Sequence, residues 1–237
     1  MSGHSKWAQI KRKKGAADVK KGAVFTRLSQ NITLAAREGG DPETNFKLRM
    51  AVELARDASL PKENITRAIK RGTGELAGGE LTQVIYEGYG PAGSQIIIKA
   101  VTDNVNRTVS QLRQILTKSG GSLAGSGAVM WNFEQKGVAR LLKGGLNKDE
   151  LELAAIDGGA DDIQEEEDGL TILTGVKNLY NLKRSLEQKG VKIESADIEY
   201  IPKTAVVLSE PDRQKFDSLV QELEEMQDMS DYYTNIE

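Results

Sequence analysis

The side chains best equipped for chemistry stand at the start of the chain, and the chemistry they suit is the binding of a polyanion. Lys6, Lys11, Arg12, Lys13, Lys14, Lys20, Lys21 and Arg27 follow one another with Asp18 as the only acid among them. Cations on a pliable segment neutralise phosphates and release counterions; six such contacts would give log K against log salt a slope of about −4 to −5. Trp7 lies among the lysines, where an indole either stacks on a base with cation–π support or packs on neighbouring helices. His4 and Ser5 add hydrogen-bonding groups. As an acid–base catalyst His4 would lack the fixed geometry that catalysis requires, because apolar residues are sparse before Val24 and residues 1–18 are expected to form an arm. A second set of cations, Arg107 and Arg113, follows Asp103-Asn-Val-Asn-Arg-Thr108; Asp103 or Asn104 suits a helix cap there, whereas a cap does not account for Arg107.

Other patterns fail on context. Gly88-Tyr-Gly-Pro-Ala-Gly93 fits a dinucleotide fingerprint only between a strand and a helix, but Gln95-Ile-Ile-Ile-Lys-Ala-Val reads as a second strand, so the glycines belong to a hairpin. Ser119 to Gly127 lacks the Lys-Ser/Thr of a phosphate loop and runs from helix to strand, so it reads as a loop. Asp161 to Asp168 is acidic without calcium-loop spacing. With no cysteine and one histidine, thiolate chemistry, zinc ribbons and multi-histidine metal centres are excluded. Glu87 and Asp103 are carboxylates with no paired base or nucleophile. The expectation is a protein with no catalytic residue, metal or cofactor, and no evident small-molecule substrate.

Of the 237 residues, 38% are hydrophobic and 28% charged, enough apolar character for a folded chain, and the length suggests one to three domains, with two most natural. No apolar run approaches the ~18 residues of a membrane span, and the N-terminus lacks a signal-peptide core, so a cytoplasmic protein is expected. The formal net charge of −3 conceals a strong asymmetry: residues 1–79 carry +8, residues 80–136 carry +1 and residues 137–237 carry −12. A basic end invites nucleic acid, and an acidic end can repel it and orient the molecule, or dock a basic protein.

The elements that must position these groups can be read from periodicity. Phe25, Leu28, Ile32 and Ala35 repeat at helical spacing and stop at Gly39-Gly40; a second helix spans about 44–58, and a third follows Pro61 to Gly72. The period then becomes two: strands 83–89 and 95–102, a helix 106–118, a loop 120–127 and a strand 128–133. Strand 138–142, helix 148–157, strands 162–166 and 170–174, helix 179–188 and strand 192–201 complete a β-α-β-β-α-β unit of the ferredoxin-like kind. A short strand 205–208, a helix 212–227 and a strand near 232–236 close the chain. The expected architecture is α+β with three domains. A basic arm and helical domain (1–79) precedes an α/β domain (80–135 plus 203–237), into which a ferredoxin-like α/β domain (136–202) is inserted.

Gly3-His-Ser-Lys-Trp7, Lys11-Arg-Lys-Lys14, Tyr86-Glu-Gly-Tyr-Gly-Pro-Ala-Gly93, Asp103-Asn-Val-Asn-Arg-Thr108 and Lys118-Ser-Gly-Gly121 closely resemble motifs of the YebC family, in order, and the resemblance continues to Asn235-Ile-Glu237. It implies the same three-domain plan. For function it implies two targets. Bacterial members are commonly described as DNA-binding transcriptional regulators acting on promoters. Others, with the related mitochondrial translational activator of cytochrome c oxidase subunit I, act on translation at the ribosome, for which proline-rich nascent chains are one suggested occasion. No recognition-helix motif of the helix-turn-helix kind is evident, and the basic arm suits structured RNA as well as DNA. Promoter DNA, ribosomal RNA and the ribosome therefore stand as candidate partners, with a protein–protein adaptor as the alternative of another class.

Overall fold

The computed structural model describes residues 19–77, 79–142, 148–166 and 169–237. Three helices come first: α1 (Val19–Ala36), α2 (Phe46–Asp57) and α3 (Lys62–Gly72). Their apolar stripes meet in one core of Leu28, Ile32, Leu48, Val52, Ala55, Ile65 and Ala68. Asn45 fixes the α1–α2 corner. Its Oδ1 accepts from the Leu48 N–H, capping α2, while its Nδ2 donates to the carbonyls of Ala35 and Gly39, each at 2.7 Å. At Gly72 a Cβ would stand 2.4 Å from the Thr33 carbonyl oxygen, so only glycine lets α3 lie this close to α1.

The first sheet contains β1 (Thr82–Tyr89), β2 (Gln95–Thr102), β3 (Ser122–Ala124) and β8 (Met229–Thr234), antiparallel throughout in the order β3-β1-β2-β8. One face packs on α4 (Val105–Lys118) and α7 (Glu210–Glu225), where Ile96, Ile98, Leu112, Leu116, Phe216 and Leu219 form the largest core. The second sheet holds β4 (Phe133–Leu142), β5 (Ala160–Glu165), β6 (Gly169–Thr174) and β7 (Ile193–Pro202) in the antiparallel order β5-β6-β4-β7. Its helices, α5 (Lys148–Asp157) and α6 (Leu179–Gln188), share one face around Ala139, Ala154, Ile172, Leu182 and Leu186. This is the ferredoxin-like unit, and it is inserted between β3 and α7 of the first sheet's layer, as periodicity anticipates.

Two strands differ from the sequence reading. Residues 128–133 are not a strand: Ala128 lies in a turn, Met130–Asn132 form a 3₁₀ turn, and only Phe133 opens β4. The reason is chemical. The Val129 and Met130 N–H groups that a ladder would use donate instead to the carboxylate of Glu87. Residues 205–208 make a single parallel bridge, Val206 to Ile236, because only Val206 meets the C-terminal segment in register. Conversely, the expected loop 120–127 contains the three residues of β3. A Cβ at Gly121 would fall 2.0 Å from the Tyr89 carbonyl oxygen, which is why glycine leads the chain back over the hairpin.

The three units touch. On the sheet face away from α4 and α7, Ile97 and Tyr233 pack with Val129, Phe133 and Tyr200, and Tyr200 meets Tyr233 edge-on at 5.3 Å. Arg140 and Glu199 form a buried bidentate pair across β4 and β7, with Nη2–Oε2 at 2.8 Å. The helical unit reaches the inserted unit at α6: Phe46 packs edge-on against Tyr180 at 5.0 Å, and Lys183 lies 5.8 Å over the Phe46 ring.

Candidate nucleic-acid interface

Helix α3 separates its two chemistries sharply. Ile65 and Ala68 are buried, whereas Lys62, Arg67 and Lys70 are exposed. Exposed Arg56 and Lys47 extend the cationic surface along α2, with Lys47 paired to Glu38 at 2.6 Å. A lysine or arginine stem lying on an apolar helix face costs little, so the same helix serves core and charge.

Where α1 and α3 approach the start of α4 there is a polar cleft of about 390 Å³. Arg67 and Arg71 line one wall. Asp103, Arg107 and Asp228 line the other, with Gln30 and Asn64 between. Asp228 is almost entirely buried, and Arg107 grips it through Nη2 at 2.8 and 2.9 Å and Nε at 3.3 Å. The Thr102 and Thr108 hydroxyls donate to Asp228 Oδ2, at 3.1 and 2.8 Å. Arg107 also meets Asp103 at 3.0 Å. These carboxylates, Asp228 first, hold the guanidinium pKa above its ordinary value. Asn104, not Asp103, caps α4: its Oδ1 accepts from the Arg107 N–H at 3.0 Å.

The residues expected from sequence to contact nucleic acid thus fall into different settings. His4, Ser5, Lys6, Trp7, Lys11, Arg12, Lys13 and Lys14 lie outside the described residues, as do the side chains of Lys20 and Lys21, which belong to α1. Arg27 points inward: its Nη2 donates to the Glu224 carbonyl in the last turn of α7, and burial pushes its pKa down against the pull of Glu224. Arg107 is committed to Asp228. Arg113 is exposed, but six residues along a helix turn it roughly 120° from Arg107, so the two do not share a surface. Arg113 borders a shallow hollow with Ser110, Gln114, Thr117 and Lys118.

Replacing Arg107 with Gln is expected to lower the thermal midpoint by several degrees, since Asp228 stays buried and loses its bidentate partner. Circular-dichroism melting checks this. An unchanged midpoint would return Arg107 to the role of a surface contact.

The carboxylate of Glu87 is also unavailable for acid–base work. Its Oε1 accepts from the Gly127 N–H at 2.6 Å, and its Oε2 accepts from Val129 and Met130 at 2.7 and 2.8 Å. Burial raises its pKa, but the three backbone donors outweigh burial and hold it below the ordinary carboxyl range. Among the described residues no group of three or more potential ligands could hold a metal ion, and no helix is long and apolar enough to cross a membrane.

Sequence reasoning missed Arg67 and Arg71 as cleft residues, although their spacing of four on an amphipathic helix was a usable signal. It also missed Trp131, which is 63% exposed, its Nε1–H donating to the Ala128 carbonyl at 3.0 Å. Nothing local marks that indole as exposed.

Comparison with known proteins covers nearly the whole chain. Residues 5–75 match the family described as "TACO1/YebC protein N-terminal domain", and residues 81–236 match "TACO1/YebC second and third domain". A probable transcriptional regulatory protein of Thermoanaerobacter pseudethanolicus is 48% identical, covering 100% of this chain and 97% of that protein. A probable transcriptional regulatory protein of Thermotoga maritima is 49% identical, covering 100% of this chain and 94% of its own length. The crystal structure of a conserved hypothetical protein from Aquifex aeolicus is 43% identical, with a TM-score of 0.88 over 98% of this chain and 97% of that one.

Proposed function

We propose that this chain, which belongs to the TACO1/YebC family, is a non-enzymatic regulator of gene expression that binds nucleic acid through its basic N-terminal arm and helical domain. The observation that carries this reading is the placement of charge. Residues 1–79 hold a net +8 while residues 137–237 hold −12, and Lys62, Arg67 and Lys70 of α3 are all exposed. Such a molecule approaches a polyanion by one end, because the opposite end is repelled. The names of the relatives agree with a regulatory role, and those relatives are described as probable transcriptional regulators.

A second reading, binding to RNA at the ribosome, is favoured by one observation. Arg67 and Arg71 line a recess between helices. A recess suits backbone phosphates and splayed nucleotides, whereas reading base edges in a DNA major groove needs a projecting helix or ribbon. An adaptor that docks a basic protein on the acidic half is the third reading.

The test is to crosslink the protein to nucleic acid in growing cells, purify it under denaturing conditions and sequence what is attached. Reads at a few promoter sites would support transcriptional control. Reads at discrete ribosomal RNA positions would support the translational reading. Recovery of no nucleic acid above an uncrosslinked control overturns both and leaves the adaptor.

A further inference from the structure

Trp131 is 63% exposed, yet the turn that carries it is pinned on both sides. Before it, the Val129 and Met130 N–H groups donate to the Glu87 carboxylate. After it, Asn132 is buried. Its Nδ2 donates to Gln95 Oε1 at 2.7 Å and to the Thr204 carbonyl at 3.0 Å, and its Oδ1 accepts from the Thr204 N–H at 3.0 Å. The indole N–H is itself used on the Ala128 carbonyl, so what Trp131 offers outward is ring surface. The exposed part of a ring contributes nothing to the core. A ring fixed in advance does, however, lose little freedom on meeting a ligand.

The surroundings select that ligand. Residues 104–133 contain no acid, and neither do residues 202–209, which reach the turn through Lys203 and Thr204. Two carboxylates adjoin the turn in the chain or the sheet, and both are engaged: Glu87 accepts from three backbone donors, and Glu134 lies 3.6 Å from Lys136. Lys203 is exposed. Its Nζ donates to the Trp131 carbonyl at 2.9 Å and makes no ion pair among the described residues, which leaves N–H groups for an anion. A flat ring beside a cation, with no free acid near it, suits a base and its phosphate. Base faces inside a duplex are already stacked on their neighbours, so the base that fits is an unpaired one.

We infer that Trp131 and Lys203 form a nucleotide contact beside the first sheet, in which the indole stacks on an unpaired base and the ammonium meets the adjoining phosphate. The inference rests on the nucleic-acid reading above and adds the class of target, a strand with exposed bases. Asn132 is bonded to Gln95, which opens β2, whereas Thr102, which closes it, is bonded to Asp228 of the cleft beside the helical unit. The length of β2 puts the two ends about 25 Å apart, and twelve nucleotides stacked at about 3.4 Å each span both.

The experiment uses the full chain and two single strands of twelve units, an oligodeoxyadenylate and an abasic phosphodiester strand of tetrahydrofuran units, each titrated between 50 and 200 mM salt. Trp131→Ala is expected to weaken binding to the oligodeoxyadenylate about 5- to 150-fold, the range for one base–aromatic stack, with the salt slope and the abasic-strand affinity unchanged. Trp131→Phe keeps a ring without the N–H and is expected to recover most of that loss, which separates stacking from the bond to Ala128. Lys203→Ala is expected to weaken both strands and to flatten the slope by about 0.7, one contact on a single strand. In Trp7→Phe, where Trp131 is the one indole left, emission is expected to fall saturably with the oligodeoxyadenylate and not with the abasic strand. If Trp131→Ala binds both strands as the natural chain does, or loses equally on both, the stacking inference is overturned while the nucleic-acid reading stands. An unchanged slope in Lys203→Ala overturns the phosphate contact. A natural chain that binds neither strand removes the nucleic-acid reading and this inference together.

Discussion

Changing Lys11, Arg12, Lys13 and Lys14 together to Ala is expected to weaken binding to nucleic acid more than any other set of substitutions, without altering the melting of the protein. Four phosphate contacts at about −0.7 to −0.9 each contribute a slope of roughly −3 in log K against log salt. Raising salt from 50 to 200 mM would therefore cost the natural chain about 50- to 150-fold more affinity than the variant. Residues 1–18 hold few apolar side chains, so four alanines there remove charge and little else. The measurement is fluorescence anisotropy with one labelled oligonucleotide across that range, beside a melting curve. Normal melting with unchanged affinity and slope would remove the arm from the binding surface.

The second large effect is on stability. Glu87 collects three backbone N–H groups from the segment 127–130, and both of its oxygens are used. In Glu87→Ala the exposed Gly127 N–H can turn to water, but those of Val129 and Met130 lie against the core that Val129 helps to form. One buried and one part-buried donor that lose a charged acceptor cost about 2–4 kcal/mol, or a fall of roughly 4–16 °C in the thermal midpoint for a chain of this size. Glu87→Gln retains one carbonyl acceptor and falls less. The pH dependence follows from the lowered pKa. A carboxyl whose folded pKa lies below its ordinary value, 4.5, contributes its full stability above that value and loses it as pH falls through the folded pKa. The curves for the natural chain and Glu87→Gln therefore separate above about pH 4.5 and converge in acid. Parallel curves throughout would show that Glu87 is not the anchor of this segment. Trp131 gives an optical readout of the same segment, since its indole donates to Ala128.

These results place a limit on what an isolated motif can say about this chain. Glu87 belongs to Tyr86-Glu-Gly-Tyr-Gly-Pro-Ala-Gly93, a stretch that carries the family resemblance, and as a lone carboxylate it invites a catalytic reading. Its surroundings make it an anchor instead, tying the glycine-rich return to the sheet just where β4 begins. The same holds for Arg107. Its position at the start of a helix says nothing of Asp228, which lies 121 residues further along.

The order and type of nearly every element were legible before any contact was known, because helix and strand periodicities are local. Leu48, Val52 and Ala55 repeat as a helix repeats, and the apolar, β-branched run within Gln95 to Thr102 follows the turn Gly90-Pro-Ala-Gly93 as a buried strand does. The division of charge was equally legible, as was the inserted β-α-β-β-α-β unit, whose elements are consecutive. Where the cations go became clear only in the folded chain. Arg27 and Glu224 are 197 residues apart, and their contact turns an expected surface cation into a brace between α1 and α7. The cleft needs α1, α3 and α4 together, and no periodicity reports which wet faces will converge. The expected strand 128–133 failed for the same reason. Its apolar residues suit a ladder, but a buried carboxylate some forty residues earlier offers Val129 and Met130 a better acceptor than another strand would. Local pattern fixes which groups must be buried; the pairing of buried polar groups is settled only when distant segments meet.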